Sequence, residues 1–215
     1  TTFTLSKFKM YLLASDYCTD IVRGFLVVPV NVKLMNSVVG EVLGDYNKDG
    51  VSNLDDFYDM VKNGEWSYAM MAEFADAIYK AGEGNTSGTM LTDDQVGFAV
   101  SRDSGLPAVG LLYTSSVIII HREWDETRED YKYYYPETNE DLEAFCASLK
   151  TLFETTGVMS LSDSEYTSVG QTSGIAVRNR FAQDHLLFGG VIAVGNVAGY
   201  AGDAFRGLRY NDFRV

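Results

Sequence analysis

The chain has 215 residues, of which 46% are hydrophobic, and its 30 acidic and 17 basic side chains give a net charge of -13. This length and hydrophobic content suffice for one sizeable globular domain or two small ones. The acidic excess argues against nucleic acid as a partner, because affinity for a phosphate backbone depends on clustered Lys and Arg. No segment approaches the roughly 20 apolar residues of a membrane-spanning helix, and the first residues do not have the pattern of a secretory signal.

Segments of strand-like composition alternate with segments of helical periodicity. Ser67 is positioned to cap a helix whose apolar face runs from Tyr68 to Tyr79, and Trp66 before it is expected to pack rather than to bind a ligand. Strands interleaved with helices are typical of an α/β architecture with a mixed sheet flanked by helices. Further helices are predicted at 54–62, 138–155 and 178–188, and strands at 8–13, 25–30, 96–100, 116–121, 131–135 and 191–195.

The predicted helix at 138–155 should begin at Thr138 as its cap and end before Gly157. Its apolar stripe includes Phe145 and Cys146, so we expect a core phenylalanine and a buried free thiol. Two cysteines, Cys18 and Cys146, are too few for a disulfide scaffold. Residues 160–174 are small and polar, which is typical of a long exposed loop.

A segment of twelve residues at 45–56, DYNKDGVSNLDD, has the oxygen spacing of an EF-hand calcium loop. In such a loop alternate side chains point into one cavity, and a glycine at the sixth position, here Gly50, permits the sharp turn. The last position is Asp rather than the usual Glu, and its shorter side chain should weaken binding. The alternative is a solvated turn without metal, since Asp and Asn favour such turns. We predict a structural Ca²⁺ site formed by Asp45, Asn47, Asp49, the carbonyl of Val51, Asn53 and Asp56.

The sequence lacks the common catalytic motifs. His121 and His185 do not have zinc-ligand spacing, and no G-x-S-x-G elbow, P-loop or G-x-G-x-x-G segment occurs. We therefore expect a protein without enzymatic activity. A glycoside hydrolase needs only two carboxylates facing one cleft, so this class stays open as an alternative.

Several segments resemble, in order, the second lobe of extracellular solute-binding proteins of the maltose/oligosaccharide-binding type, which feed ABC importers. The family's Gly/Asn turn followed by a W-S helix start matches residues 63–67, and its D-D-x-Y-G-F turn matches Asp93, Asp94, Gln95, Gly97 and Phe98. FLVVPVNVKL at 25–34 is similar to a family strand and turn, with Asn31 at its Asn. RFAQDHLLFGGVIAVG at 180–195 and GLRYNDFRV at 207–215 are similar to later family segments. Asp184 and His185 depart from the pattern, standing where Gly and a basic residue are usual, and the loop at 45–56 is an addition.

The resemblance implies one lobe of a periplasmic-binding-protein-like (class II) fold. Family members have two α/β lobes hinged around a ligand cleft and are about twice this length. Residues 1–24 would be the end of the first lobe near the hinge, and 25–215 the second lobe with the added loop. Asn31 and 213–215 should then lie near each other, since both correspond to strands that cross between lobes.

The resemblance also implies a function. Family members capture sugars or other solutes at the bacterial cell surface, often through a lipid anchor, and deliver them to an ABC permease without chemistry. The anchor would lie outside this chain. The competing class is a cell-surface carbohydrate- or partner-binding module that is not coupled to transport. Contacts of the family's second lobe imply ligand-binding residues Arg102, Asp103, Ser104, Asn196 and Tyr200 here.

Overall fold

The computed structural model describes residues 2–6, 9–13, 26–79, 94–115, 117–165, 172–193 and 213–214. These residues form a mixed α/β structure in which a mixed sheet is flanked by helices. The strands are β1 Thr2–Ser6, β2 Lys9–Leu13, β3 Leu26–Val27, β4 Val30–Asn31, β5 Val96–Ser101, β6 His121–Asp125, β7 Asp130–Tyr134, β8 Val158–Leu161, β9 Leu186–Phe188, β10 Ile192–Ala193 and β11 Phe213–Arg214. The helices are α1 Val32–Val42, α2 Leu54–Lys62, α3 Tyr68–Ile78, α4 Gly105–Thr114, α5 Glu140–Glu154 and α6 Ser173–Ala182.

The largest sheet has five strands in the order β11-β4-β9-β5-β8. Strand β5 is parallel to both β8 and β9, whereas β4 is antiparallel to β9 and to β11. All six residues of β5 are buried, as expected for a central strand covered on both faces. The carboxyl ends of β5 and β8 therefore meet at one edge of the sheet.

Helices cover both faces of this sheet. Phe98 and Val100 of β5 belong to the larger core cluster, which holds the buried apolar residues of α1, α2 and α3. Ala99, between them in sequence, belongs to a smaller cluster with α6 residues such as Phe181. This alternation follows from the period of two along a strand. Trp66 packs in the larger cluster, with ring centroids 5.3 Å from Phe57 and 5.6 Å from Phe188, which confirms its predicted packing role.

The strand that we expected to cross between lobes is adjacent to the end of the chain, as predicted. Phe213 pairs with Asn31 and Arg214 with Val30 in antiparallel register. These two segments are separated by about 180 residues of sequence, so this is a long-range strand pairing. The expected proximity is confirmed for residues 213 and 214.

Two predicted elements are wrong. The predicted strand at 116–121 begins only at His121, and the predicted helix at 178–188 ends at Ala182 and is followed by strand β9. Asp184 has a left-handed backbone, with φ of 59°, which ends the helix and turns the apolar Leu-Leu-Phe run into a strand. A short apolar run fits a buried strand or a helix equally well from periodicity alone.

The start and exposure of α5 also differ from the prediction. Asn139, not Thr138, caps the helix, and its Oδ1 accepts a hydrogen bond from the Leu142 N–H at 3.0 Å. Only Leu152 of this helix is buried, Phe145 is half-buried, and Cys146 is an exposed free thiol. The predicted stripe thus packs against the larger core cluster, but Phe145, Leu149 and Phe153 are only partly buried there.

Residues 160–174 are not one exposed loop. Strand β8 extends to Leu161, a short 3-10 turn covers Asp163–Glu165, and α6 begins at Ser173, which is fully buried. Residues 166–171 lie outside the described part of the chain. No helix among the described residues is long and apolar enough to cross a membrane.

Candidate functional site

The turn after β5 places the predicted ligand-binding residues Arg102, Asp103 and Ser104 at the carboxyl edge of the sheet. In open α/β sheets, ligands bind outside the carboxyl ends of the strands. The Arg102 N–H donates to the Leu161 carbonyl of β8 at 2.9 Å, which joins the two strand ends. Arg102 and Asp103 are exposed and Ser104 is half-buried. Their role in ligand binding stays a prediction.

The segment after β8 forms the opposite side of this site. The Asp103 carboxylate accepts a hydrogen bond from the Asp163 N–H, and the Asp163 carboxylate in turn accepts from Ser173 at the start of α6. The Ser173 hydroxyl is 2.6 Å and its N–H 2.7 Å from Asp163 Oδ1. Ser101, the last residue of β5, has its hydroxyl 2.5 Å from that of Ser173. Three elements are thus tied together by hydrogen bonds below the exposed turn.

Hydrogen bonds set the charge of Asp163. The Ser173 hydroxyl and then its backbone N–H lower the pKa of the Asp163 carboxyl below its ordinary value of 3.8, and burial opposes them. The hydrogen bonds among Ser101, Asp163 and Ser173 therefore hold the start of α6 against the ends of β5 and β8.

The sequence analysis missed Asp163 and Ser173 because it assigned 160–174 to an exposed loop, and it missed Ser101 because the predicted strand ended at residue 100. The signal that could have found them is Thr172, whose hydroxyl oxygen accepts a hydrogen bond from the Ile175 N–H as the α6 cap. A Thr before an apolar run with helical spacing is a helix-start signal. The two other predicted ligand-binding residues, Asn196 and Tyr200, lie outside the described residues.

The loop at 45–56 folds around its own side-chain oxygens. The Asp45 carboxylate accepts from the N–H groups of Asp49 at 3.0 Å and Gly50 at 2.9 Å, and Asn47 Oδ1 accepts from Asp49 at 3.0 Å. Asp49 Oδ1 accepts from the Val51 N–H at 2.8 Å. Gly50 has φ of 91°, a left-handed conformation that favours glycine. The loop is thus compact, because the side chains at its first, third and fifth positions accept hydrogen bonds from three consecutive backbone N–H groups.

Asp56, at the last position of this loop, is fully buried. Its two oxygens accept from the N–H of Asn47 at 2.9 Å and of Asn53 at 2.8 Å, and the second contact completes a capping box at the start of α2. The hydrogen bonds from Asn47 and Asn53 lower the pKa of the Asp56 carboxyl, and burial opposes them. An ionised carboxylate therefore joins the beginning of the loop to the helix that leaves it.

The donor set of this loop, with carboxylate, amide and carbonyl oxygens, is the kind that Ca²⁺ prefers. Within the described ranges, no three Asp, Glu, His or Cys side chains are grouped closely enough to hold a metal ion. The calcium site at Asp45, Asn47, Asp49, Val51, Asn53 and Asp56 therefore stays a prediction.

Comparison of the chain with family models, with curated proteins and with solved structures gave no match. The fold is mixed α/β, and a polar, hydrogen-bonded turn at 102–104 lies at the carboxyl ends of parallel strands. We call this turn, together with Ser101, Asp163 and Ser173, the edge site.

Proposed function

We propose that this chain is the second lobe of a bacterial extracellular solute-binding protein, and that it captures a sugar or oligosaccharide for an ABC importer without chemistry. The lobe would have the class II periplasmic-binding-protein-like fold. Its partners would be the solute and an ABC permease, and its attachment to the membrane would be through a lipid anchor outside this chain.

The observation that carries this proposal is the pairing of β11 with β4. The resemblance requires the segments at Asn31 and Phe213 to cross between lobes side by side, and these residues are register partners. The pairing agrees with what the resemblance implies for these two segments and in this way supports the lobe assignment.

The backbone at Asp184 also supports the proposal. The resembled family usually has Gly at this position, and Asp184 has the left-handed backbone, with φ of 59°, that favours glycine. The cost of a side chain there is offset by hydrogen bonds. Asn31 Nδ2 donates to Asp184 Oδ1 at 2.8 Å and Lys33 Nζ to Oδ2 at 2.5 Å. The departure from the family pattern thus has a local physical compensation.

The edge site suits a neutral polyhydroxyl ligand. Arg102 and Asp103 offer a donor and an acceptor on an exposed turn. The turn is held by the bond from the Arg102 N–H to β8 and by the bond from the Asp163 N–H to the Asp103 carboxylate. Such side chains can form hydrogen bonds with sugar hydroxyls. One wall leaves most of a ligand in water, whereas binding sites usually bury most of the ligand surface. This lobe alone should therefore bind saccharides weakly.

Calorimetric titration of the chain with monosaccharides and oligosaccharides tests the proposal. We expect millimolar binding of at least one saccharide, weakened by Asp103→Ala and unchanged by Glu154→Gln, a surface variant at the end of α5. Micromolar binding would show a complete binding domain and contradict the lobe assignment. Absence of binding at any attainable concentration would contradict the sugar-binding function.

We further propose that Ca²⁺ binds the loop at 45–56 and makes it more rigid. The hydrogen bonds that already fold this loop, and the buried Asp56 that ties it to α2, support a site that adds rigidity rather than chemistry. Extracellular modules bind calcium at about 10⁻⁴ to 10⁻³ M. A site weakened by Asp in place of Glu would suit that environment.

A second candidate is a surface module that binds a carbohydrate or protein partner without transport. It is favoured by the β6–β7 hairpin, where Trp124, Tyr131 and Tyr133 are all exposed. Trp124 and Tyr131 stack edge to face at 5.3 Å, and the Arg122 guanidinium lies 4.9 Å from the Tyr131 ring centroid. Trp, Tyr and Arg are enriched where binding energy concentrates. Loss of saccharide binding in Trp124→Ala, with Asp103→Ala unaffected, would favour this candidate.

A further inference from the structure

A groove of about 710 Å³ lies between the start of α3, the end of α4 and the first half of α5. Its volume falls within the range of about 300 to 1,000 Å³ that is typical of small-molecule sites. The groove shares no residue with the edge site or with the loop at 45–56. Its apolar walls are formed by Trp66, Tyr68, Met71, Leu111 and Phe145.

Packing against core side chains and hydrogen bonds hold the aromatic walls of this groove in place. Trp66 packs against Phe57 and Phe188 in the core. The Tyr68 hydroxyl donates to the Leu111 carbonyl at 2.6 Å and lies 2.9 Å from Thr114 Oγ1, which fixes α3 against α4. Phe145 is half-buried, with its ring centroid 6.0 Å from that of Tyr68. The groove is thus preformed, so a ligand need not order its walls.

One charge borders the groove. Asp141, in the first turn of α5, is the charged side chain among the described lining residues, and the others are apolar or carry hydroxyls. It is exposed, and its carboxylate has no hydrogen bond or ion pair with other described residues. Glu140 and Glu143 lie in the same turn and add to the negative potential at this end of the groove.

We propose that this groove binds a small apolar or aromatic molecule that carries one cationic amine. The apolar part lies against Trp66 and Phe145, and the amine lies beside Asp141. Aromatic walls supply most of the contact area, and the single carboxylate selects a cation over a neutral or anionic molecule of the same shape. A sugar, which has hydroxyls on every edge, would leave these apolar walls poorly matched.

The fluorescence of Trp66 reports directly on this groove. The chain has two tryptophans, so Trp124→Phe leaves Trp66 as the only tryptophan, and its emission can be excited selectively over that of the tyrosines. In this background, phenylbutylamine should change the emission saturably, whereas phenylbutanol should bind more weakly and phenylbutyrate more weakly still. Asp141→Asn should reduce the affinity for the amine about three- to fivefold, the effect of one exposed ion pair, and leave that for the alcohol unchanged. Glu154→Gln, at the other end of α5, is the matched charge control.

A wedge variant tests the location. Ala144 lines the groove and is exposed on α5, so Ala144→Phe should fill the groove without disturbing the core and abolish binding of both amine and alcohol. Melting curves equal to that of the parent would show that the variants are folded. The proposal is overturned if Trp66 emission does not saturate, if the amine and phenylbutyrate bind equally, or if Ala144→Phe has no effect. Saccharide binding at the edge site should be unaltered by Asp141→Asn and by Ala144→Phe.

Discussion

Helix α3 approaches the sheet closely at Gly97, the second residue of β5. A Cβ at this position would lie 2.1 Å from the Cα of Ala75 in α3 and 2.3 Å from its Cβ. Gly157, just before β8, meets the same residue, since its Cβ would lie 2.3 Å from the Ala75 carbonyl oxygen. The Gly97 N–H also donates to the Gly157 carbonyl at 2.8 Å. Ala75 therefore sits against two glycines that cannot gain a side chain without displacing backbone.

Gly97→Ala should destabilise the protein strongly. Overpacking a core usually costs about 1 to 3 kcal/mol, because side chains and backbone must shift. Here the obstructing atoms are backbone and Cβ atoms, which cannot rotate away, so we expect about 3 kcal/mol or more. For a chain of this size each kcal/mol lowers the melting temperature by about 2 to 4 °C. The expected decrease is therefore about 6 to 12 °C.

Urea denaturation and thermal melting of matched variants measure this effect. Gly105→Ala, where a Cβ would meet nothing within 4 Å, should change stability by no more than about 0.5 kcal/mol. Ala75→Gly in the Gly97→Ala background should restore part of the loss, because the two positions are in contact and should couple. A Gly97→Ala midpoint equal to that of the parent would refute the close packing of α3 on β5.

Three further results are expected. Phe145→Ala should lower the free energy of unfolding by only about 1 to 2 kcal/mol, because the ring is half-buried at the groove. Phe74→Ala, which empties a fully buried site, should lower it by about 3 to 5 kcal/mol. Equal urea midpoints for the two variants would contradict this difference. Removing calcium with EDTA should lower the melting temperature, and adding Ca²⁺ should restore it; identical curves would refute the metal site. Burial raises the pKa of Asp184, but hydrogen bonds from Asn31 and Lys33 lower it more, so the folded-state pKa is below the ordinary 3.8. The ionised Asp184 carboxylate therefore stabilises the folded protein above that pH, and this stabilisation is lost as the pH falls through the folded-state pKa. On acidification, Asp184→Asn should lose less stability than the parent.

The elements that the sequence predicts well have strong local signals. Helix α2 has the predicted bounds, since Asn53 and Asp56 form a capping box within four residues of each other. Strand β5 is an apolar run flanked by polar residues, and α3 begins after Ser67, whose hydroxyl accepts from the Met70 N–H. Each of these signals depends on residues that are neighbours in sequence.

The errors arise where distant residues decide the structure. Asp184 adopts a left-handed backbone that its residue type favours weakly, and it does so with hydrogen bonds from Asn31 and Lys33. Ser173 is buried because Ser101 and Asp163 satisfy its hydroxyl and N–H. A polar residue with such partners looks like a loop residue when only its neighbours are considered.

Helix α4 was not predicted at all, because GLPAVGLLYT contains Gly and Pro, which both weaken helices. Pro107 lies in the first turn, where a missing N–H is tolerated, and Gly110 packs close to Val191 and Leu26, since a Cβ there would lie 2.4 Å and 3.0 Å from their side chains. Packing therefore overrides propensity in this helix. Of the edge site, the turn 102–104 was predicted, through the resemblance, but its supporting residues were not.

The most direct test of the central claim is a residue-resolved NMR titration of the labelled chain with the saccharide that binds best by calorimetry. If the chain is a solute-binding lobe, the amide signals of Arg102, Asp103 and Ser104 should shift in fast exchange, as expected for millimolar affinity, while signals of the loop at 45–56 stay unchanged. Shifts confined to the β6–β7 hairpin, or no shifts at all, would contradict sugar capture at the carboxyl edge of the sheet.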